Sequence, residues 1–139
     1  MEEKTLVILK PDCMEKNLAG TILERFAKSG LSLAACKMIQ LNETILRDHY
    51  DFLADKPFFP DILKYMQECP VLVLILTGKN SIAITRELLG PTDSSVAPKG
   101  TIRGDFGESK SRNIAHASDS PESAKKEIAR FFKPEEIFY

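Results

Sequence analysis

The sequence predicts an α+β fold with a ferredoxin-like β-α-β-β-α-β core. Its four strands form one antiparallel sheet, with an inserted helix pair and a long loop. Three observations carry this. Two apolar runs, Thr5-Leu6-Val7-Ile8-Leu9 and Val71-Leu72-Val73-Leu74-Ile75-Leu76-Thr77, are bounded by turn residues and read as buried strands. Around them lie segments whose apolar residues recur at helical spacing. From Thr92 to Arg112 that periodicity is almost lost, and loops of about 20 residues inside compact domains are usually functional.

The elements follow in order. The first strand stops at Lys10-Pro11-Asp12. Ile22, Leu23, Phe26 and Ala27 then share a helical face, and Gly30 is a natural helix stop. Leu31 to Leu41 has mixed, strand-like character. Asn42 can cap a helix in which Ile45, Leu46, His49, Tyr50 and Leu53 share a face. Lys56-Pro57 breaks the chain, and Ile62, Leu63 and Met66 mark another short helix. After the strand closed by Gly78, Ser81 can cap a helix that runs to Leu89 and ends at Gly90-Pro91. Ile114 to Ala117 is a short last strand. Ser120 caps the last long helix, Glu122 to Phe132, with Pro121 in its first turn.

A chain of 139 residues makes one domain, spanning 1–139, the default. The net charge of -1 gives no general attraction to nucleic acid or to acidic membranes, so anion binding must come from locally gathered Lys and Arg. Cys13, Cys36 and Cys69 are odd in number and lack C-x-x-C spacing, which suits a reducing compartment. The start Met1-Glu2-Glu3-Lys4 has no leader pattern, and the run Val71 to Leu76 is too short to span a bilayer. The expected location is cytoplasmic, with no membrane partner.

The most informative stretch is Arg112 to Ala124, where His116 immediately precedes a strong helix-start signal. Free N–H groups and the positive end of the helix dipole favour an anion such as phosphate there. A histidine beside a phosphate site suggests either a nucleophile or a general base. Ser118 has the strand parity of His116, Asn113 is near, and Glu127 can fold back from the helix to orient an imidazole. Other residues carry two readings each. Lys10 at a strand end is a functional group or an ordinary solvated lysine. Arg86 complements its helix dipole or binds a ligand. Arg103, between Gly100 and Gly104, belongs to a turn or to a close approach to a ligand. His49, on a helical face with Ile45 and Leu53, reads as structural. The chain has no G-x-x-x-x-G-K-[ST], no G-x-G-x-x-G and no zinc-ligand spacing.

Together these pieces resemble the nucleoside diphosphate kinase family over essentially the whole chain. The matching motifs are Ile8-Leu9-Lys10-Pro11-Asp12, His49-Tyr50, Lys56-Pro57-Phe58-Phe59, Gly100-Thr101-Ile102-Arg103-Gly104-Asp105-Phe106 and Asn113-Ile114-Ala115-His116-Ala117-Ser118-Asp119-Ser120. The resemblance implies transfer of the γ-phosphate of a nucleoside triphosphate, typically ATP, to a nucleoside or deoxynucleoside diphosphate. The route is ping-pong, through a phosphohistidine at His116. Glu127 matches the acid that orients the ring, Ser118 its hydroxyl neighbour, and Lys10 and Tyr50 complete the catalytic set. Arg86, Thr92 and Arg103 match phosphate ligands, and Lys10 and Asn113 match sugar ligands. Phe58 matches the residue that stacks on the base, with Ile62 and Lys110 also at the nucleotide. The resemblance further implies Mg2+ carried mainly by the nucleotide, with Asp119 reaching it through water. It implies a homo-oligomer, a tetramer or hexamer built from dimers, and needs no nucleic acid.

Three positions depart from the family pattern. Ala117 stands where glycine is usual, and Lys110 where an apolar residue is usual. Pro98-Lys99-Gly100 differs in order in a loop that often joins subunits. If position 117 required a positive φ, alanine would cost roughly 1 kcal/mol and displace His116. The alternative to an active kinase is therefore a nucleotide-binding regulatory module with impaired catalysis. The short tail after Pro134 resembles bacterial members.

Overall fold

Strand β1 (Glu3–Leu9) lies inside a four-stranded sheet of order β2-β3-β1-β4, in which every neighbouring pair is antiparallel. The computed structural model describes residues 2–138. Met1 and Tyr139, which belong to the start and the tail read above, lie outside the described residues. The remaining strands are β2 (Ser32–Ile39), β3 (Val71–Gly78) and the three-residue β4 (Ala115–Ala117). The helices are α1 (Pro11–Glu15), α2 (Ala19–Lys28), α3 (Glu43–His49), α4 (Phe59–Met66), α5 (Ser81–Leu89), α6 (Ile102–Phe106) and α7 (Pro121–Phe131). The expected α+β arrangement with its inserted pair, α3 and α4, is the one found.

Period-two alternation in β1 explains the layering. Val7 and Leu9 join one core cluster with Ile22 and Phe26 of α2, Leu89 of α5 and Ile102 of α6. Leu6 and Ile8 point the other way and join Leu46 of α3, Met66 of α4 and Phe131 of α7. Both faces of this strand are covered, so it reads as an unbroken apolar run. Each fully buried Leu or Ile contributes about 1.5–3 kcal/mol. The register pairs Ile8 with His116, while Val7 and Leu9 pair with Ala117 and Ala115. Cross-strand partners share a face, so His116 faces the α3–α4–α7 layer and the flanking alanines face the opposite core.

Some boundaries differ from expectation for local reasons. The 92–112 stretch is not featureless. It holds a 3-10 turn at Ser94–Val96 and the short helix α6, capped by Thr101 Oγ1, which accepts from the Gly104 N–H at 3.0 Å. Helix α1 was likewise unforeseen: five residues are too few to show a period. Helix α3 ends at His49, and a 3-10 turn at Asp51–Leu53 carries the chain onward. Ser81 does not cap α5. Asn80 occupies the cap position at φ 59, and the Ser81 hydroxyl donates instead to the Glu3 carbonyl at 2.8 Å. The capping role falls to the Glu3 carboxylate, which accepts from the Ile82 N–H at 2.9 Å.

The caps expected at Asn42 and Ser120 are present. Asn42 accepts from the Ile45 N–H at 2.9 Å and Ser120 from the Ser123 N–H at 3.1 Å. Because only three residues separate β4 from α7, the Ser120 cap fixes how the helix leaves the sheet. Ser120→Ala is expected to lower stability by about 1 kcal/mol, read as a lower urea midpoint at unchanged slope.

Candidate active site

The site forms where β4 passes beneath α7. Two turns into α7, Glu127 points back at the sheet, and both its oxygens lie 3.0 Å from His116 Nε2. Ser118 is fully buried. Its hydroxyl donates to Glu127 Oε1 at 2.7 Å and accepts the Leu6 N–H at 3.2 Å. Burial alone would raise the Glu127 carboxyl. The bonds from His116 and Ser118, with the electrostatic influence of the nearby imidazoles, outweigh it and hold the group below its usual range. A carboxylate that accepts from Nε2 fixes the neutral tautomer of His116, leaving the lone pair of Nδ1 free for chemistry.

His49 packs edge-on against the His116 ring with centroids 4.6 Å apart, and Tyr50 packs edge-on against His49 at the same distance. Arg130 donates to His49 Nδ1 at 2.9 Å, which places the proton of the neutral ring on Nε2. Burial foremost, and then His116, push His49 down to about 3. The Tyr50 hydroxyl is pushed up by burial and by Glu127. His49, which the sequence offers as a structural or edge histidine, is buried, and its neighbour is the central histidine.

The chain enters β4 through a strained turn. Ile114 has φ 76, and the Ala115 N–H donates across it to the Asn113 carbonyl at 2.9 Å. This is a γ-turn of the positive-φ kind, unfavourable for a β-branched residue by roughly 1–3 kcal/mol. Asp12, 2% exposed, accepts the Ile114 N–H at 3.0 Å, and the Lys10 N–H donates to the Ile114 carbonyl at 2.9 Å. The strain sits at Ile114 and not at Ala117, which is absent from the positive-φ residues and packs its methyl in the core. Alanine after His116 therefore carries no positive-φ penalty.

Cations gather at the other side of His116. Lys10 Nζ donates to Asn113 Oδ1 at 2.8 Å and to the Ser111 carbonyl at 2.7 Å. Burial, the largest influence, and nearby Arg103 push Lys10 down to about 8 against the pull of Asp12. Burial and then Arg86 push Arg103 down to about 10. The Arg103 guanidinium donates to the carbonyls of Gly90, Asn113 and Ala115 at 2.9, 3.2 and 2.7 Å. Exposed Arg86 donates to the Ala117 carbonyl at 3.3 Å. Among the described residues none of these three cations has a carboxylate within salt-bridge distance. Asp12 is the one carboxylate that acts on the group, through Lys10 and without direct contact, so positive charge predominates there, as an anion site requires. Gly104 serves the loop and not a ligand: a Cβ there would lie 1.9 Å from the Pro98 carbonyl oxygen.

Beyond Lys10 lies a cavity of about 840 Å³ lined by Phe58, Ile62, Tyr65, Thr92, Lys110 and Arg112, among others. Phe58 is 48% exposed at its rim. Asn113 joins this cavity to the cation cluster, donating through Nδ2 to the carbonyls of Thr92 and Lys110, both at 3.0 Å. Asp119 is exposed beyond β4. The predicted residues thus fall into three adjoining groups: the histidine–carboxylate pair with Ser118 and Tyr50, the cations with Asn113, and the cavity wall. Asp12, Tyr65 and Arg130 were not foreseen. An acid after Lys-Pro at a helix start carries no sign that it is buried, and only the fold brings the other two near.

A ferredoxin-like fold that presents an oriented histidine beside gathered cations and an aromatic-rimmed cavity large enough for a nucleoside fits a phosphate-handling, nucleotide-binding class. The family pattern described as nucleoside diphosphate kinase matches residues 3–137. The chain is 51% identical over 136 residues to a nucleoside diphosphate kinase of Parabacteroides distasonis, covering 98% of this chain and 89% of the relative. It is 46% identical over 136 residues to that of Coxiella burnetii, with 98% of each covered. The halophilic nucleoside diphosphate kinase of Halobacterium salinarum, solved in complex with CDP, superposes with a TM-score of 0.96 at 33% identity, covering 100% of this chain and 93% of that one. The chain belongs to the nucleoside diphosphate kinase family.

His49 gives the site a pH signature. Below 6.5 the unfolded chain binds a proton at this position that the folded protein refuses until about pH 3. Native stability is therefore expected to fall with decreasing pH across that window, by up to about 1.4 kcal/mol per pH unit from this group. His49→Gln should lose this component, measured as the difference between the two proteins' urea-unfolding free energies from pH 7 to pH 4.

Proposed function

We propose that this protein transfers the γ-phosphate of a nucleoside triphosphate to a nucleoside or deoxynucleoside diphosphate through a phosphohistidine at His116, with residues 1–139 acting as one domain. Family membership at this identity supports nucleotide phosphate transfer. The observation that carries the chemistry is the 3.0 Å pairing of His116 Nε2 with Glu127 beside unpaired cations. Nδ1 attacks the γ-phosphorus, the bond to the β,γ-bridging oxygen breaks, and the nucleoside diphosphate leaves. Glu127 stabilises the positive charge that develops on the ring, with Nε2 keeping its proton. In the second half, a terminal phosphate oxygen of the acceptor diphosphate attacks the same phosphorus and His116 Nδ1 is released.

In this reading Arg86, Arg103 and Thr92 hold phosphates, where positioning and charge neutralisation do most of the work. Arg103 exchanges some of its carbonyl bonds for phosphate oxygens. Lys10 serves the transferred phosphate and, with Asn113, the sugar hydroxyls. The Tyr50 and Ser118 hydroxyls complete the polar surroundings of His116. Phe58 stacks on the base, flanked by Ile62 and the methylene stem of Lys110. Stacking is tolerant of base identity. The CDP complex of the Halobacterium relative supports a nucleoside diphosphate as ligand.

Mg2+ fits the donor set only as a nucleotide-borne ion. The one grouping of metal-capable side chains among the described residues is His49, His116 and Glu127, with ligand atoms within 4.8 Å of one another, and its imidazoles suit a hard cation poorly. Asp119 would reach the ion through water, and the ion would supply charge neutralisation along the phosphates. The same reading includes a cytoplasmic location and a homo-oligomer, a tetramer or hexamer built from dimers. Among the described residues no helix is long and apolar enough to cross a membrane. The exposed Leu33 and Met38 on the edge strand β2 support association between copies.

Incubation with γ-labelled ATP and magnesium, without acceptor, tests the reading. Acid-labile label is expected on the native protein and not on His116→Ala, with complete discharge on adding GDP or CDP. A native protein that binds ATP yet takes up no label would leave only the regulatory-module alternative.

A further inference from the structure

The turn that delivers His116 is held from outside its own strand. β4 contains only three residues, and the γ-turn at Ile114 is its entry. The Asp12 carboxylate meets two donors there. One oxygen accepts the Ile114 N–H at 3.0 Å, and the other accepts the Tyr65 hydroxyl. Tyr65 lies one helical turn beyond Ile62 on α4 and shares the wall of the same cavity. Its ring is flanked by two cations, Arg112 at 4.6 Å and Lys10 Nζ at 5.4 Å from the centroid. Arg112 in turn pairs with Glu68, just past the end of α4, at 3.1 Å. A continuous path therefore runs from the helix beside the base cavity, through Tyr65 and Asp12, to Ile114 and the nucleophile two residues on.

We propose that Asp12 and Tyr65 are positioning residues for phosphate transfer: Tyr65 locks the Asp12 carboxylate, and Asp12 holds the strained turn that aims His116. The proposal rests on the function proposed above. The physical need is specific. A positive φ at a β-branched residue persists only where the surroundings over-determine it, and the Asp12 carboxylate takes up the one backbone N–H inside that turn. Relaxation of the turn would rotate or slide the following residues, and a displacement of about 1 Å at a reacting group can cost on the order of a hundredfold in rate. Neither Asp12 nor Tyr65 is required to touch the transferred phosphate.

Asp12 has a second effect, because its charge opposes the lowering of Lys10. Substitutions separate the two. Asp12→Asn removes the charge but keeps both bonds, since its oxygen accepts the Ile114 N–H and its amide donates to the Tyr65 oxygen. Asp12→Ala removes both bonds and the charge, whereas Tyr65→Phe removes one bond and no charge. The experiment is steady-state phosphate transfer from ATP to a diphosphate acceptor, with thermal unfolding of each protein alongside. Tyr65→Phe is expected to lower kcat by about tenfold with KM changed less than about twofold. Asp12→Ala should fall by about a hundredfold, and Asp12→Asn should recover most of that loss. Tyr65→Phe with native kcat, or Asp12→Asn as impaired as Asp12→Ala, would overturn the proposal. Should Asp12→Ala fail to fold, the other two variants still decide. Absence of transfer by the native protein would overturn the functional reading instead, which keeps the two failures distinct.

Discussion

The site depends on one buried carboxylate that has to be satisfied. Glu127 is 9% exposed, and it gathers His116 Nε2 and the Ser118 hydroxyl. Left unpaired, such a group would destabilise the fold by several kcal/mol or become protonated. Paired, it sets the tautomer of the histidine, the rotamer of the serine and the distance between α7 and β4 together. Ser118 extends the arrangement into β1 through the Leu6 N–H. Stability and the orientation of the proposed nucleophile thus rest on the same hydrogen bonds. His49, kept neutral by burial, closes the other side of the ring without adding a competing charge.

Opposed to this ordered side is a region of deliberate imbalance. Lys10, Arg86 and Arg103 lie close enough for Arg103 to feel Arg86 and for Lys10 to feel Arg103, and none has a carboxylate partner among the described residues. Backbone carbonyls of Gly90, Asn113 and Ala115 hold Arg103 in place. Carbonyl dipoles compensate such a group only partly, so repulsion among the cations persists, which suits the phosphate-binding role proposed for them. The strained turn at Ile114 is a second unfavourable feature, retained because its N–H and C=O are both engaged by the Lys10–Asp12 segment. Both features lie against Lys10, which explains why the short stretch after β1 carries so much of the site.

The sequence made much of this legible, through signals that are local. Apolar runs marked β1 and β3, helical spacing marked α2 and α4, and Asn42 and Ser120 announced their helices because a cap acts within three residues. The neighbourhood of His116 was legible for the same reason: Ser118 and Glu127 follow it closely on one strand and the next helix. The family resemblance added Phe58 and Thr92, whose types alone pointed nowhere, and Lys110 only as a departure from the family pattern. What stayed hidden is non-local. Nothing near Ile82 shows that Glu3 caps it, and nothing in Ile114 announces a positive φ. Lys10, Arg86 and Arg103 each had an ordinary alternative until the fold brought the end of β1 and the arginines of α5 and α6 together around β4. The concern over Ala117 arose from the family resemblance, and its backbone, which has no positive φ, removes the strain part of it.

The central claim is that Glu127 occupies Nε2 and so assigns the chemistry to Nδ1. The most direct test is NMR of the phosphoenzyme made from ATP with ring-labelled histidine, asking which imidazole nitrogen carries the phosphorus. The account predicts phosphorus on Nδ1 of His116, with Nε2 still protonated and bonded to Glu127. Phosphorus on Nε2 would mean that the ring must leave Glu127 to react, contradicting the account.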